Sequence, residues 1–208
     1  MTERRVRAYV ALGANLGQPE ATLAEAIAAL AALPSVRMRG VSLLYATEPV
    51  GVTGQPEFRN AVAALDVPAG PDAPSGALAL LAELKRLERA FGRRPRRRWG
   101  PRELDLDLLV FGRARLAIER TAMTRSLEAD IDPVKASKLL EVPHPEAVSR
   151  LFVLAPLADL APGLAPPGWG RSVETARREQ LALEGPAAVR PVARWDAPAR
   201  RWRPLQPR

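Results

Sequence analysis

The pattern of hydrophobic and polar residues at the start of the chain predicts a strand followed by a helix. The stretch RVRAYVALG, at residues 5–13, alternates and is rich in valine, which is typical of a β-strand. A helical spacing of apolar residues follows, at Leu23, Ile27, Leu30 and Leu33. This spacing predicts an amphipathic helix over residues 19–33.

Three further segments predict strands, and a second helix lies between the last two of them. The segments are SVRMRGVSLLYAT (35–47), FRNAVAALDV (58–67) and ELDLDLLVFG (103–112). An apolar stripe predicts a helix over about residues 77–91, where Gly92 is placed to stop it. The order strand, helix, strand, strand, helix, strand is typical of an α+β sandwich. We expect a ferredoxin-like, mainly antiparallel sheet of four to six strands, with helices packed on its faces.

The chain beyond Gly112 is less regular. PHPEAVSRLFVLAPLADLAP (143–162) predicts a loop followed by a helix that Pro162 stops. Residues after about 163 are rich in proline and arginine, and they contain a possible helix, SVETARREQLALEG (172–185).

Composition limits the class of protein. The 208 residues are 47% hydrophobic and include no cysteine, which fits a globular chain without disulfides or thiolate chemistry. No apolar run approaches the roughly 20 residues that span a bilayer. The first residues resemble no signal peptide, so we expect a cytoplasmic protein.

Net charge favours anionic partners. The formal charge is +8, and three of the 31 basic residues are lysines. Such a balance suits nucleic acid, a phosphorylated small molecule or an acidic surface. A compositional bias across a whole proteome would explain many of the arginines equally well.

Two aspartates in the fourth predicted strand form a candidate metal site. Because side chains alternate faces along a strand, Asp105 and Asp107 point to the same side, with Cα atoms about 7 Å apart. Magnesium prefers a few carboxylates together with substrate phosphates. Acids on the wet face of a half-exposed strand are the simpler interpretation of this pair alone.

A dense arginine block precedes these aspartates and changes that balance. It consists of Arg93, Arg94, Arg96, Arg97, Arg98 and Arg102, with Trp99 among them. Guanidinium groups bind phosphate oxygens in bidentate fashion. A solvated basic loop or a nucleic-acid patch would also fit the block, but adjacent carboxylates repel a polyanion unless metal ions intervene. An unrelated ATP-using kinase is disfavoured because the chain has no G-x-x-x-x-G-K-[ST] loop.

Four blocks in order carry a resemblance to a known family. They are YVALGANLG, LYATEPVGVTGQPEFRNAV, RWGPRELDLDLLVFG and VPHPEAVSRLFVLAPLADLAP. In these blocks the chain resembles the 6-hydroxymethyl-7,8-dihydropterin pyrophosphokinases of folate biosynthesis, and the likeness covers most of residues 6–163. The resemblance implies a ferredoxin-like α+β sandwich. It also implies transfer of pyrophosphate from ATP to the pterin's hydroxymethyl oxygen, with release of AMP.

The resemblance also implies roles for matching residues. Two magnesium ions would be held by Asp105 and Asp107. The catalytic set would comprise these aspartates with Arg93 and Arg102. The pterin would be bound by Thr47, Val50, Phe58, Asn60, Trp99 and Phe152. ATP would be contacted by Glu88, Arg98, Arg102, His144 and Arg150.

Physical chemistry is compatible with these roles, although each has a simpler alternative. Phe58 and Phe152 would sandwich the pterin ring, but either could equally be a core residue. Asn60 stands in an otherwise apolar strand, where a buried amide needs partners that a ligand edge can supply. His144, the only histidine, would contact phosphate as an N–H donor, or be an exposed loop residue.

This chain departs from the family pattern in three places. Pro95 stands where the family usually has a second arginine, so either Arg94 or Arg96 substitutes. An insertion is expected near residues 113–140, within a pyrophosphokinase domain of residues 1–170. Residues 171–208 form a basic C-terminal extension, interpreted first as a surface tail. The alternative is an anionic-partner contact through a set of arginines, Arg194, Arg200, Arg201 and Arg203. We expect a monomer or weak oligomer that acts on ATP and the pterin, with no nucleic-acid or membrane partner.

Overall fold

The computed structural model of the chain describes residues 4–49, 54–94, 100–120 and 137–206. Its strands are β1 Arg5–Ala14, β2 Arg37–Val41, β3 Leu44–Thr47, β4 Phe58–Pro68, β5 Asp105–Phe111, β6 Leu116–Glu119, β7 Lys138–Val142, β8 Val189–Asp196 and β9 Arg201–Pro204. Its helices are α1 Pro19–Ala32, α2 Ala73–Ala90, α3 Leu151–Leu160 and α4 Val173–Glu184.

One antiparallel sheet organises these elements. Its strand order is β5-β1-β4-β3-β8-β9, and β2 also pairs with β4. The central strand β1 therefore has β4 on one side and β5 on the other. The predicted α+β class with a mainly antiparallel sheet is confirmed.

The sheet has seven strands, rather than four to six, for two reasons. The segment predicted as one strand at residues 35–47 is two strands, because regular pairing with β4 is interrupted at Ser42 and Leu43. There the Val62 N–H donates to the Ser42 hydroxyl at 2.9 Å, whereas in a regular strand pair it would donate to a backbone carbonyl. The C-terminal segment supplies the remaining additions, β8 and β9.

The two faces of the sheet are covered by different helices. On one face, α1 and α2 bury leucines such as Leu23 and Leu84 against Leu12 of β1. On the other, Leu154 of α3 packs with Val62 of β4. Alternation along β1 supplies both cores, because successive residues point to opposite faces.

Helix α2 begins four residues before its predicted start. The Asp72 carboxylate accepts the Ser75 N–H at 2.7 Å and so caps the helix. Pro74 then occupies the first turn, where its missing N–H costs no hydrogen bond.

The C-terminal segment is part of the sheet and not a surface tail. The predicted helix is present as α4, whose Glu184 accepts the Leu151 N–H of α3 at 3.2 Å. Strand β8 pairs with β3, and Trp195 meets Trp202 of β9 edge to face at 5.0 Å between ring centroids. The boundary at residue 170 and the anionic partner of the basic arginines stay predictions.

The region of the expected insertion is described only in part. Strands β6 and β7 pair with each other in a separate two-stranded sheet. Residues 121–136 lie outside the described residues, so the role of the insertion stays a prediction. In the part of the chain that the structure describes, no helix has both the length and the hydropathy that crossing a bilayer requires.

We predict that Asp66→Asn destabilises the fold in a pH-dependent way. Asp66 accepts from Arg7 at 2.6 Å and lies 2.9 Å from Arg39. The hydrogen bond from Arg7 holds the pKa of Asp66 below its ordinary 3.8. The ionised carboxylate therefore stabilises the fold fully at pH values above about 4, the ordinary pKa of an aspartate. This stabilisation is lost as the pH falls through the lowered pKa of Asp66.

Urea unfolding should show a loss of about 0.5–1 kcal/mol at neutral pH in the variant, because both arginines are partly exposed. The difference should shrink as the pH is lowered below about 4. A difference that does not change with pH would contradict the ion-pair explanation.

Candidate active site

A cavity of about 210 Å³ opens where β3, β4, β1 and β5 meet the start of α3. Most of the residues predicted from the sequence line it: Thr47, Phe58, Asn60, Arg102, Asp105, Asp107, His144, Arg150 and Phe152. Val50, Arg98 and Trp99 lie outside the described residues. Arg93 and Glu88 do not line the cavity but lie next to it, as described below.

Strand alternation brings the two aspartates to the cavity together. Both line its wall, whereas Leu104, Leu106 and Leu108 are buried. The leucines belong to the core beneath α1 and α2. That core fixes the rotation of β5, so the carboxylates have no other side to face.

Small residues of β1 form the floor beside these carboxylates. In the sheet register, Gly13 lies opposite Asp105 and Ala11 lies opposite Asp107. Gly13 also lies opposite Asn60 on the other side. A Cβ atom at Gly13 would stand 3.0 Å from the Asn60 amide oxygen, so the glycine keeps this part of the floor open.

The two carboxylates carry unequal pKa shifts. Burial, together with the charge of Asp107, raises the pKa of Asp105 to about 6, although Arg93 at 2.7 Å opposes the rise. Burial also acts against the charged form of Asp107, but positive groups led by Lys85 outweigh it and lower its pKa. At neutral pH both groups are therefore mainly ionised, and two adjacent negative charges attract cations.

Behind the carboxylates, Glu88 joins α2 to β5. It is 2% exposed, and one of its oxygens accepts the Leu106 N–H at 2.8 Å and the Lys85 ammonium at 2.9 Å. The same oxygen also pairs with Arg93, which bridges it to Asp105. Glu88 is thus engaged with protein donors, and its predicted contact with the nucleotide stays a prediction.

Lys85 is a residue that the sequence analysis missed. Its ammonium donates to Glu88 and to the Leu106 carbonyl at 3.2 Å, which places it close to the aspartates. The only signal in the sequence is the i,i+3 spacing of Lys85 and Glu88 on a helix face, and exposed helices often carry such a pair.

Polar and aromatic side chains line another part of the cavity. The Asn60 amide donates to the Thr47 hydroxyl at 2.8 Å, and both residues are buried. Phe58 at the start of β4 and Phe152 in the first turn of α3 both line this cavity. The Arg150 guanidinium lies 5.6 Å from the centre of the Phe152 ring, within range of a cation–π contact.

Cationic and N–H groups line the remaining rim. Arg102 and Arg150 both reach the cavity, and Arg150 also pairs with Glu146. His144 also lines the cavity, and its backbone N–H donates to the Leu109 carbonyl of β5 at 2.9 Å. Burial lowers the pKa of His144, so its ring is neutral near pH 7 and can donate one N–H.

The donor set suits a hard cation shared with a ligand. Among the described residues, no cluster of three or more histidine, cysteine or acidic side chains is placed to hold a metal. A cation held by two carboxylates at a cavity has most of its coordination positions open to water or to phosphate oxygens. Magnesium is commonly bound in proteins in this way. The chemistry of these donors therefore fits a metal–phosphate group beside a flat polar ring.

Comparisons with known proteins agree on one family. The family model described as 7,8-dihydro-6-hydroxymethylpterin-pyrophosphokinase (HPPK) matches residues 9–162. A 2-amino-4-hydroxy-6-hydroxymethyldihydropteridine pyrophosphokinase of Pseudomonas aeruginosa is 42% identical, over 77% of this chain and 84% of the relative. One of the same name from Methylorubrum extorquens is 37% identical, over 89% and 98%.

A solved structure supports the fold. A wild-type HPPK-DHPS protein of Plasmodium falciparum superposes with a TM-score of 0.67 at 13% identity. The match covers 99% of this chain but only 48% of the other, so the present chain spans about half of that protein's length.

We predict that Glu88→Gln destabilises the fold by about 1–3 kcal/mol, because the buried Leu106 N–H and the partly exposed Lys85 and Arg93 cations lose a charged acceptor. Glu83→Gln is a matched control, since Glu83 forms an exposed i,i+3 pair with Arg86 on the same helix. Chemical unfolding should show a loss below about 0.5 kcal/mol for that control. Equal effects in the two variants would refute the special role of Glu88.

Proposed function

Because this chain belongs to the 7,8-dihydro-6-hydroxymethylpterin-pyrophosphokinase family, we propose that the cavity beside Asp105 and Asp107 is the site of the family's reaction. The reaction transfers pyrophosphate from ATP to the pterin in folate biosynthesis. The hydroxymethyl oxygen bonds to the β-phosphorus, and the bond from that phosphorus to the AMP oxygen breaks. AMP leaves, and the hydroxyl proton is released.

One observation carries the assignment: the wall proposed for the ring and the wall proposed for the phosphates share a single floor. Gly13 lies opposite both Asn60 and Asp105, so these two residues are two strand spacings apart, or about 10 Å. A ring held at Asn60 can therefore extend its hydroxymethyl group toward a phosphate held at Asp105. Proximity of this kind supplies much of the rate enhancement in phosphoryl-type transfer.

We propose that Asp105 and Asp107 hold magnesium, with two ions as the expected number. Bound there, magnesium would neutralise charge on the phosphates and orient the attacking oxygen. The fit rests on the chain's own donors, which are two carboxylates that face one cavity. Arg93, which now pairs with Asp105, supplies positive charge in the same place and can turn to a phosphate oxygen once a cation takes its position.

The cationic rim is assigned to the triphosphate. Arg102 and Arg150 offer guanidinium forks, and the neutral His144 ring offers one N–H. The enclosed volume lies below the roughly 300 Å³ of typical small-molecule sites. It therefore suits a ring-sized group, and the nucleotide must extend along the open rim. We propose Arg98 as a further ATP contact. Glu88, which lies behind the aspartates, is proposed to lie near the nucleotide.

The opposite wall is assigned to the pterin. Thr47 and Asn60 already share a hydrogen bond, which leaves the Asn60 oxygen beside Gly13 at the cavity floor. Phe58 and Phe152 are proposed to stack on the ring faces. Val50 and Trp99 are proposed to complete the set.

The alternative of a nucleic-acid-binding module gains no support. The relatives that match this chain are named as pyrophosphokinases, and the matched region includes the whole cavity wall. The aspartates also face the cavity together with the arginines, so a polyanion would meet both charges.

We predict that Asp105→Asn and Asp107→Asn each lower AMP production from ATP and 6-hydroxymethyl-7,8-dihydropterin by about a hundredfold or more, because charge stabilisation of the transition state is lost. Asp66→Asn, on β4 two strands from β5 and outside the cavity, should retain activity. Circular dichroism and chromatographic quantification of AMP are sufficient measurements. Activity within twofold of wild type in both cavity variants would exclude the metal-holding role.

A second prediction concerns the floor of the cavity. Gly13→Ala places a methyl group against Asn60, so we expect pterin affinity to fall by about tenfold while the fold is retained. Gly40→Ala is the matched control, because its Cβ would approach only the flexible end of Leu160, at 3.2 Å. Isothermal titration with the pterin compares the two. If both variants bind alike, Gly13 has no special role.

A further inference from the structure

Asn15 lies just beyond β1, between the two loops that lead into β4 and β5. Its side chain is almost fully buried, at 2% exposure. It is not among the residues that line the cavity. Any influence on the substrates must therefore pass through its hydrogen-bond partners.

The nitrogen of the Asn15 amide holds the first loop. It donates to the Pro56 carbonyl at 3.0 Å and to the Gln55 side-chain oxygen at 3.1 Å. Two residues later the chain reaches Phe58, which lines the cavity at the proposed pterin wall. This contact fixes the approach of the loop to β4.

The oxygen of the same amide holds the second loop. It accepts the Arg102 N–H at 2.7 Å, and the Arg102 carbonyl in turn accepts the Asn15 N–H at 3.0 Å. The backbone of Arg102 is thus paired with Asn15 in both directions. Its guanidinium lines the cavity, and Asp105 follows three residues later.

We propose that Asn15 is a positioning residue that fixes the pterin wall relative to the phosphate wall. This inference rests on the proposed function. Only a primary amide offers an acceptor to one loop and two donors to the other from a single planar group. Because buried partners left without a hydrogen bond are costly, the two loops keep a fixed relative position as long as the amide is intact.

Asn15→Asp separates the two contacts. The carboxylate keeps an acceptor for the Arg102 N–H but has no donor for the first loop. The Gln55 amide can turn to donate, whereas the Pro56 carbonyl cannot and is repelled. We expect the KM for the pterin to rise about five- to tenfold, with the KM for ATP within about twofold of wild type.

Asn15→Ala removes both contacts and should lower kcat by about tenfold in addition, since the Arg102 backbone loses its acceptor. Ser42→Ala is the matched control, because Ser42 is also buried and bridges strands through its hydroxyl, outside the cavity. That control should lose thermal stability without a selective change in either KM. If Asn15→Asp likewise loses stability while both KM values stay unchanged or change equally, the positioning role is overturned.

Amide hydrogen exchange separates this inference from the proposed function. In Asn15→Asp we expect faster exchange at residues 55–59 than in wild type or Ser42→Ala, with exchange at residues 102–104 little changed. In Asn15→Ala both segments should exchange faster. Wild-type protein that makes no AMP from ATP and the pterin would refute the proposed function, but the exchange pattern would still test whether Asn15 connects the two loops. Unchanged exchange in both Asn15 variants would refute that connection.

Discussion

The whole site depends on how β5 is oriented. Three leucines, Leu104, Leu106 and Leu108, are buried in the core under α1 and α2. Since a strand has two faces, burying them turns Asp105 and Asp107 together into the cavity. The hydrophobic effect thus supplies the free energy that holds two like charges side by side. Arg93, Lys85 and the cavity rim surround those charges with positive groups.

The remainder of the site is arranged around that pair. Glu88 fixes Lys85 and Arg93 behind β5, and small β1 residues leave space in front of it. Asn60, two strands away, defines the other end of the floor. The chemistry of the family needs little beyond these features, because transfer of a pyrophosphoryl group depends mainly on positioning and charge neutralisation.

Much of this arrangement could be predicted from the sequence, for local reasons. Period-two alternation gives the common face of Asp105 and Asp107, and helical spacing gives α1 and most of α2. The resemblance in four blocks implies that Thr47, Asn60 and His144 belong to one binding site, and all three line the cavity.

What could not be predicted depends on contacts that are distant along the chain. No local pattern shows that Glu88 would accept from Leu106, or that Asn15 would connect residues 55 and 102. The pairing of β8 with β3 could not be predicted either, because its proline-containing sequence shows no clear alternation of apolar and polar residues. Ser42 splits a predicted strand only because Val62 faces it across the sheet.

The central claim is that Asp105 and Asp107 both coordinate divalent metal that is bound to the phosphates of ATP. A crystal structure with Mn²⁺, a non-hydrolysable ATP analogue and the pterin tests it most directly, since anomalous scattering locates the metal. The account predicts anomalous density within about 2.2 Å of carboxylate oxygens from both Asp105 and Asp107, and in contact with phosphate oxygens. Metal bound elsewhere, with Arg93 still paired to Asp105 while both substrates occupy the cavity, would contradict it.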